Sequence, residues 1–277
     1  MTTESVLGET EWPEVEIIVV DDGSTDDSIL RYRRRPDPRL RVLRSGGLGV
    51  AKARNLGAQH ARGEYIVFLD AHCRVSPDWL HRFALALAEP DVALISPCFT
   101  RLDEPEPRGA ACTSVTPRST STGSSPAGAR RRTTFGWTSA RASRCGVTYS
   151  TGSGGTTRAS RAGLRRRRAV PTAWTFGWRV KADPVAVVAH HFRESRGYEV
   201  DDADVVYNLV RMLALHVDEP ELSAIPGARG PNPNIAVALD LITTDGTLDQ
   251  RYVYDSMRTR TARWFFDNIN GAPTFAA

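Results

Sequence analysis

From Pro107 to Ala182 the sequence contains no aspartate and no glutamate: 76 residues with 15 lysines and arginines and not one carboxylate side chain. The whole chain has 277 residues, 36 basic and 32 acidic side chains and a formal net charge of +4. The remaining 201 residues therefore hold 21 basic and 32 acidic side chains, a net of −11. This is an acidic protein with a very basic insert, and any argument for a nucleic-acid partner rests on the insert alone. The insert has no recognisable RNA- or DNA-reading motif and few aromatics for stacking on bases. A salt-sensitive, non-specific contact is the most its charge implies, so no specific nucleic-acid partner is expected.

Long apolar runs are absent too. None approaches the ~18 residues that a membrane span needs, and the longest are short pieces such as Glu16–Val20 and Tyr65–Leu69. No transmembrane segment is expected. The opening residues, MTTESVLGETEWPE, are acidic and lack the basic-then-apolar order of a signal peptide. Cysteine is scarce: Cys73, Cys98, Cys112 and Cys145 lie far apart with no CxxC pair. Free thiols in a reducing cytoplasm are the default reading, and a cytoplasmic location is expected. With 41% hydrophobic and 25% charged residues, the chain is neither disordered, collagenous nor disulfide-stapled. It reads as a soluble globular protein of one large domain or two small ones.

What is present falls into three parts. Residues 1–106 alternate strand and helix. Glu16-Ile-Ile-Val-Val20 is a short apolar run of the buried parallel-strand kind. It ends in Asp21-Asp22-Gly23-Ser24, and Ser24-x-x-Asp27 resembles a capping box opening a helix. Leu40–Leu43 is a second strand, Val50–Ala61 a helix, and Tyr65–Leu69 a strand with Asp70 at its carboxyl end. Pro77-Asp78-Trp79 starts a helix running to about Ala88, and Val92–Ser96 is a further strand. This order implies a parallel sheet with right-handed crossovers. Ligands of such sheets gather at the carboxyl ends of the strands, where Asp22 and Asp70 fall. Residues 107–175, rich in Ser, Thr, Arg, Gly and Ala, show no sustained apolar period and are expected to be disordered or frame-shifted. In residues 176–277 the globular pattern resumes: Val185–Ala189 reads as a strand, and Val205–Val217 and Thr247–Phe266 as helices.

The motifs VVDDGSTDDS and GVAKARNLGAQHARGEYIVFLDAHCRVSPDWL carry the strongest signal. They resemble the family 2 type of glycosyltransferases with the GT-A fold, and within it the polypeptide N-acetylgalactosaminyltransferases. The resemblance covers about residues 5–106 and 176–217. That group's metal motif is Asp-x-His, matched by Asp70-Ala71-His72. Its third ligand lies in a Gly-His-x-Phe-Arg segment, for which this chain offers Ala189-His190-His191-Phe192-Arg193. The resemblance thus implies a metal held by Asp70, His72 and His190, with adjacent His191 a rival for the last place. One carboxylate and two imidazoles suit Mn2+ or another divalent cation, and such an ion stabilises the charge growing on a diphosphate leaving group. Without the resemblance, Asp70 reads more readily as a cap of the following helix and His72 as an exposed loop histidine.

The resemblance further implies that Asp22 accepts a hydrogen bond from the imide N–H of uracil, and hence a UDP-sugar donor. Asp70 and Ala71 would lie against the nucleotide-sugar, and Arg193 and Tyr198 would touch the diphosphate from a mobile loop. The plainer readings are a turn aspartate for Asp22 and surface packing for the other two. Lys52 and Arg54 lie near the nucleotide in related folds, and a solvated helix face paired with acidic neighbours accounts for them equally well. Gly46-Gly47-Leu48-Gly49 has neither the Walker lysine nor dinucleotide spacing and reads as a flexible turn. Trp79 and Trp264 read as core or lid aromatics.

Two departures from the family pattern stand out. The family's first strand, which contacts the nucleotide, has no counterpart ahead of SVLGETEWPEVEIIVV. The family also places a Trp-Gly and acidic segment between its two metal motifs, where this chain has no carboxylate, so no general base can come from there and the catalytic residue is unassigned. A shifted reading frame accounts for both the missing acids and the arginine runs. Arginine codons of the CGN type, read one base later, begin with GN and can encode Asp or Glu. The expected fold is α/β: a GT-A-like, mostly parallel sheet with flanking helices, its first strand missing, and a helical C-terminal extension. The expected function is metal-dependent transfer of a hexose or N-acetylhexosamine from a UDP-sugar to an unknown sugar, protein or lipid acceptor. The alternatives are a catalytically inactive remnant of such an enzyme, or a basic nucleic-acid-binding protein.

Overall fold

The computed structural model describes residues 1–12, 14–34, 36–103, 139–141, 172–192, 201–217 and 232–268. Helix α1 (Thr2–Glu9) precedes β1 (Ile17–Asp21). A 3-10 turn (Asp27–Ile29) leads into α2 (Leu30–Arg34), then β2 (Leu40–Arg44), α3 (Val50–His60), β3 (Tyr65–Val67), β4 (Cys73–Val75), α4 (Trp79–Ala88) and β5 (Val92–Arg101). After β6 (Ser139–Arg141) and β7 (Arg179–His190), the described residues form the helices α5 (Asp202–His216), α6 (Pro233–Thr244), α7 (Thr247–Met257) and α8 (Ala262–Asn268).

Strands β1 and β2 pair in parallel, Ile17 opposite Leu40 through Asp21 opposite Arg44. The other five strands form one sheet in the order β3-β6-β5-β7-β4. The α/β class stands, but the pairing is mixed: β5 and β7 are parallel, while β3–β6, β5–β6 and β4–β7 are antiparallel. At β4 the reason is that it follows β3 through a short turn rather than a helical crossover and lies against β7.

The main core lies between this sheet and α4. Trp79, Phe83 and Leu87, spaced four apart, share one face of α4 and are buried against Cys73, Val75, Val92, Ile95 and Val188. Burying each such side chain is worth about 1.5–3 kcal/mol. The indole N–H of Trp79 donates to Thr10 Oγ1 (3.1 Å) inside the core. Elsewhere, α3 approaches β1 closely because Gly57 has no side chain; a Cβ there would meet Val20 Cγ2 at 3.3 Å.

Local departures from the sequence reading have identifiable causes. The cap of the first short helix is Asp26, which accepts from the N–H of Ser28 (3.2 Å). Ser24 is held in the preceding turn by Asp21 Oδ1 (2.9 Å). The expected single helix from Thr247 to Phe266 is two helices. The amides of Thr259 and Arg260 donate to the Thr175 carbonyl, and Arg258 reaches the carbonyls of Leu215 and His216, so the chain cannot stay helical there. Thr261 then restarts it by accepting from the N–H of Trp264 (3.1 Å). Just ahead of β7, Thr172, Ala173, Trp174 and Thr175 are all at most 3% exposed. Trp79 and Trp174 are core residues, and Trp264 packs against Trp174 with Arg260 over its ring (4.2 Å).

Candidate metal centre

Asp70, just after β3, His72, in the turn before β4, and His190, the last residue of β7, each offer a ligand atom, and these atoms lie within 4.8 Å of one another. The antiparallel register of β4 and β7 creates this meeting. Cys73 stands opposite His190 and Val75 opposite Val188, and one step further the N–H of His191 donates to the carbonyl of His72 (3.0 Å). Successive side chains of an extended chain point to opposite faces, so His190 and His191 cannot both turn toward Asp70. It is His190 that does: its Nε2 lies 3.3 Å from Asp70 Oδ2. Its ring stands edge-on to His72, centroids 4.6 Å apart, whereas His191 is exposed and 6.4 Å from His72.

The donor set fits a divalent cation. Adjacent oxygen and nitrogen ligands held about 2.1 Å from one ion are about 3 Å apart, close to the observed Asp70–His190 spacing. Nδ1 of His190 is buried and has no hydrogen-bond partner among the described residues. Such a group costs about 1–3 kcal/mol, a cost that a ligand-holding site can carry. The other carboxylate oxygen of Asp70 is held by Arg54, whose Nη2 lies 3.1 Å from Oδ1.

The turn is braced from behind by α1. The hydroxyl of Thr2 donates to the Asp70 carbonyl (2.7 Å) and accepts from the N–H of Cys73 (2.7 Å). Ser5 Oγ accepts from the N–H of Val75 (3.0 Å). Ala71 is exposed between Asp70 and His72. The Thr2 brace was not legible in sequence, Thr2 and Cys73 being 71 residues apart, and Arg54 was readable as a helix-face arginine with an acidic neighbour but not as the partner of Asp70.

Asp22 lies just past the carboxyl end of β1, and its carboxylate organises the loop before α3. Oδ1 accepts from Ser45 Oγ (2.8 Å) and the N–H of Leu48 (2.6 Å), and Oδ2 accepts from the N–H of Gly49 (2.6 Å). Gly49 is the N-cap of α3 at φ 79° and Gly47 sits at φ 82°, conformations that favour glycine. The Gly-rich stretch is thus a turn that presents amides to Asp22. Arg193 and Tyr198 lie outside the described residues.

Sequence and structure comparisons agree on the kind of protein this resembles. The profile described as "Glycosyl transferase family 2" matches residues 1–152, more than half of the chain. The chain is 36% identical over 91 residues to the uncharacterized glycosyltransferase YibD of Escherichia coli, a match covering 32% of this chain and 26% of that protein. It is 36% identical over 92 residues to polypeptide N-acetylgalactosaminyltransferase 6 of Mus musculus, covering 32% of this chain and 15% of the relative. Among solved structures, GalNAc-T7 with UDP, GalNAc and Mn2+ superposes with a TM-score of 0.62 at 17% identity, over 96% of this chain and 52% of that one. The fold is GT-A, and the matched regions amount to a minor part of each curated relative.

Proposed function

The chain belongs to glycosyl transferase family 2, and from that premise we propose that Asp70, His72 and His190 hold a divalent cation, Mn2+ foremost, at which the diphosphate of a UDP-sugar binds. The observation that carries this reading is the convergence of three ligand atoms from two segments that the sequence separates by more than a hundred residues. GalNAc-T7, which shares the fold, was solved with UDP, GalNAc and Mn2+. The reaction is transfer of a hexose or N-acetylhexosamine from UDP to a sugar, protein or lipid acceptor. When bound, the cation supplies Lewis acidity to a leaving group whose negative charge grows as the glycosidic bond breaks.

The chain's own residues have separate tasks. His72 and His190 bind as neutral imidazoles, which alone have an available nitrogen lone pair, and Asp70 contributes one oxygen. Among the described residues the second oxygen of Asp22 accepts one hydrogen bond, from Gly49, and the imide N–H of uracil is assigned to it as a further donor. Arg193 and Tyr198 are assigned by resemblance to close over the diphosphate.

Calorimetric titration of UDP with and without Mn2+ tests the reading. A manganese-dependent signal that disappears in Asp70→Ala is expected. Equal binding with and without the metal would overturn it. A second reading is favoured by one observation: the 76 residues from Pro107 to Ala182 offer no carboxylate general base. On that reading the chain binds donor but does not transfer it, and UDP-GalNAc or UDP-GlcNAc would remain intact under conditions in which UDP binds.

A further inference from the structure

Arg54 pairs with the carboxylate of the Asp70, His72 and His190 cluster: its Nη2 lies 3.1 Å from Asp70 Oδ1, while Oδ2 faces His190. Both side chains are about a quarter exposed, so the pair is neither fully solvated nor sealed. A carboxylate ordinarily has two oxygens to offer a cation. Here one is occupied by a guanidinium and the other is turned toward the imidazoles.

We propose that Arg54 is a positioning residue: it fixes Asp70 with a single oxygen turned to the cation and cancels its charge, so that a divalent cation binds this site together with a diphosphate rather than alone. The proposal rests on the metal-centre reading given above. Imidazoles that bind a metal are neutral, and the carboxylate charge of Asp70 is then offset by Arg54 at 3.1 Å. A divalent ion entering alone gives up hydration and gains no net charge attraction from this set. A diphosphate restores the attraction, and the cationic Arg54 is placed to favour the same anion. Metal and nucleotide then strengthen each other's binding by a common factor, because coupling between two ligands is reciprocal.

The test is Mn2+ binding to the full chain, monitored by the paramagnetic resonance signal of the free ion, with and without UDP. The wild type should bind Mn2+ weakly alone and at least ~10-fold more tightly with UDP, within the usual range of coupling. In Arg54→Met or Arg54→Gln, Mn2+ alone should bind at least as tightly as in wild type, while the gain from UDP shrinks to a few-fold or less. Arg54→Lys keeps the charge and should keep most of the gain. Thermal unfolding without metal identifies which variants are folded, and Arg54→Gln carries the test if Arg54→Met is not. The proposal is overturned if the Met and Gln variants keep the wild-type gain, or if they lose Mn2+ binding equally with and without UDP, as simple damage to the site would produce. If instead the wild type binds UDP regardless of Mn2+, the metal-centre reading itself fails.

Discussion

Cys73 and His190 stand opposite each other in the antiparallel pairing of β4 with β7. That single register brings the last strand of the sheet to the Asp70–His72 turn. A slip of one residue would turn His191 inward and His190 out. The two histidines are therefore predicted to behave differently. His190→Ala should weaken Mn2+-dependent UDP binding by at least the ~10–100-fold that loss of even an outer partner costs a metal site. His191→Ala should leave it nearly unchanged. Equal losses in calorimetry would mean that this register does not assemble the site in solution.

Asp22 is predicted to matter for stability even with no nucleotide present. Its carboxylate accepts from Ser45, Leu48 and Gly49, so Asp22→Ala leaves the partly buried Gly49 amide unpaired at the start of α3 and gives up the exposed bond to Leu48. The expected cost is about 1–3 kcal/mol, a Tm lower by roughly 2–12 °C for a chain of this size. An aspartate that served only to contact the base would leave the Tm of the free protein unmoved, and scanning calorimetry without UDP separates the two.

How much of this was legible in the sequence depends on the kind of information each feature needs. Strands β1, β2 and β3 and helices α3 and α4 are written in short-range apolar patterns, and their expected positions agree with the observed ones to within two residues. Strand β5 runs on from Ser96 to Arg101 because Pro97–Arg101 pair with β7, a partner some 85 residues away that no local pattern reveals. The same holds for β6, a strand inside a stretch with no apolar period, set by its pairing to β3 and β5. Asp70 and His72 were readable as a motif. Arg54 and Thr2 were not, because their roles exist only once α3 and α1 are packed against the turn.

The burial of Thr172, Ala173, Trp174 and Thr175 bears on the basic insert. Trp174 and Thr175 are at most 2% exposed and come soon after the arginine run Arg165–Arg168, in a region lacking any acid. Strands β5 and β7 on either side belong to one sheet. Resequencing the gene from Leu102 to Arg193 is predicted to show that a neighbouring frame encodes a Trp-Gly segment with Asp or Glu ahead of Trp174. The repaired chain should then be the one assayed for transfer. If no frame adds carboxylates, the insert is genuine and the donor-binding reading without transfer gains.

Acid should act on the site through Asp183. Pro97 stands opposite Asp183 and Cys98 opposite Val187, so β7 carries three extra residues, 184–186, at that point. Bulges of this kind re-aim the strand beyond them, and the strand beyond this bulge ends at His190. Asp183 holds the bulge: its carboxylate accepts from the amides of Val185 (2.8 Å) and Ala186 (3.1 Å) and from Arg82 on α4 (2.9 and 3.1 Å). Burial acts to raise its pKa, but these donors outweigh it and hold the group below the usual 3.8. A depressed folded value means that the stabilisation is fully present above the unfolded pKa and is lost as pH falls through the folded one. Asp183→Asn should therefore lower Tm at pH 7, flatten the fall in Tm below about pH 4, and weaken Mn2+-dependent UDP binding by loosening the strand that carries His190. Replacing the four bonds by none, as in Asp183→Ala, should cost about 2–4 kcal/mol. A variant with wild-type Tm at every pH would show that the strand pairing alone fixes the bulge, and His190 with it.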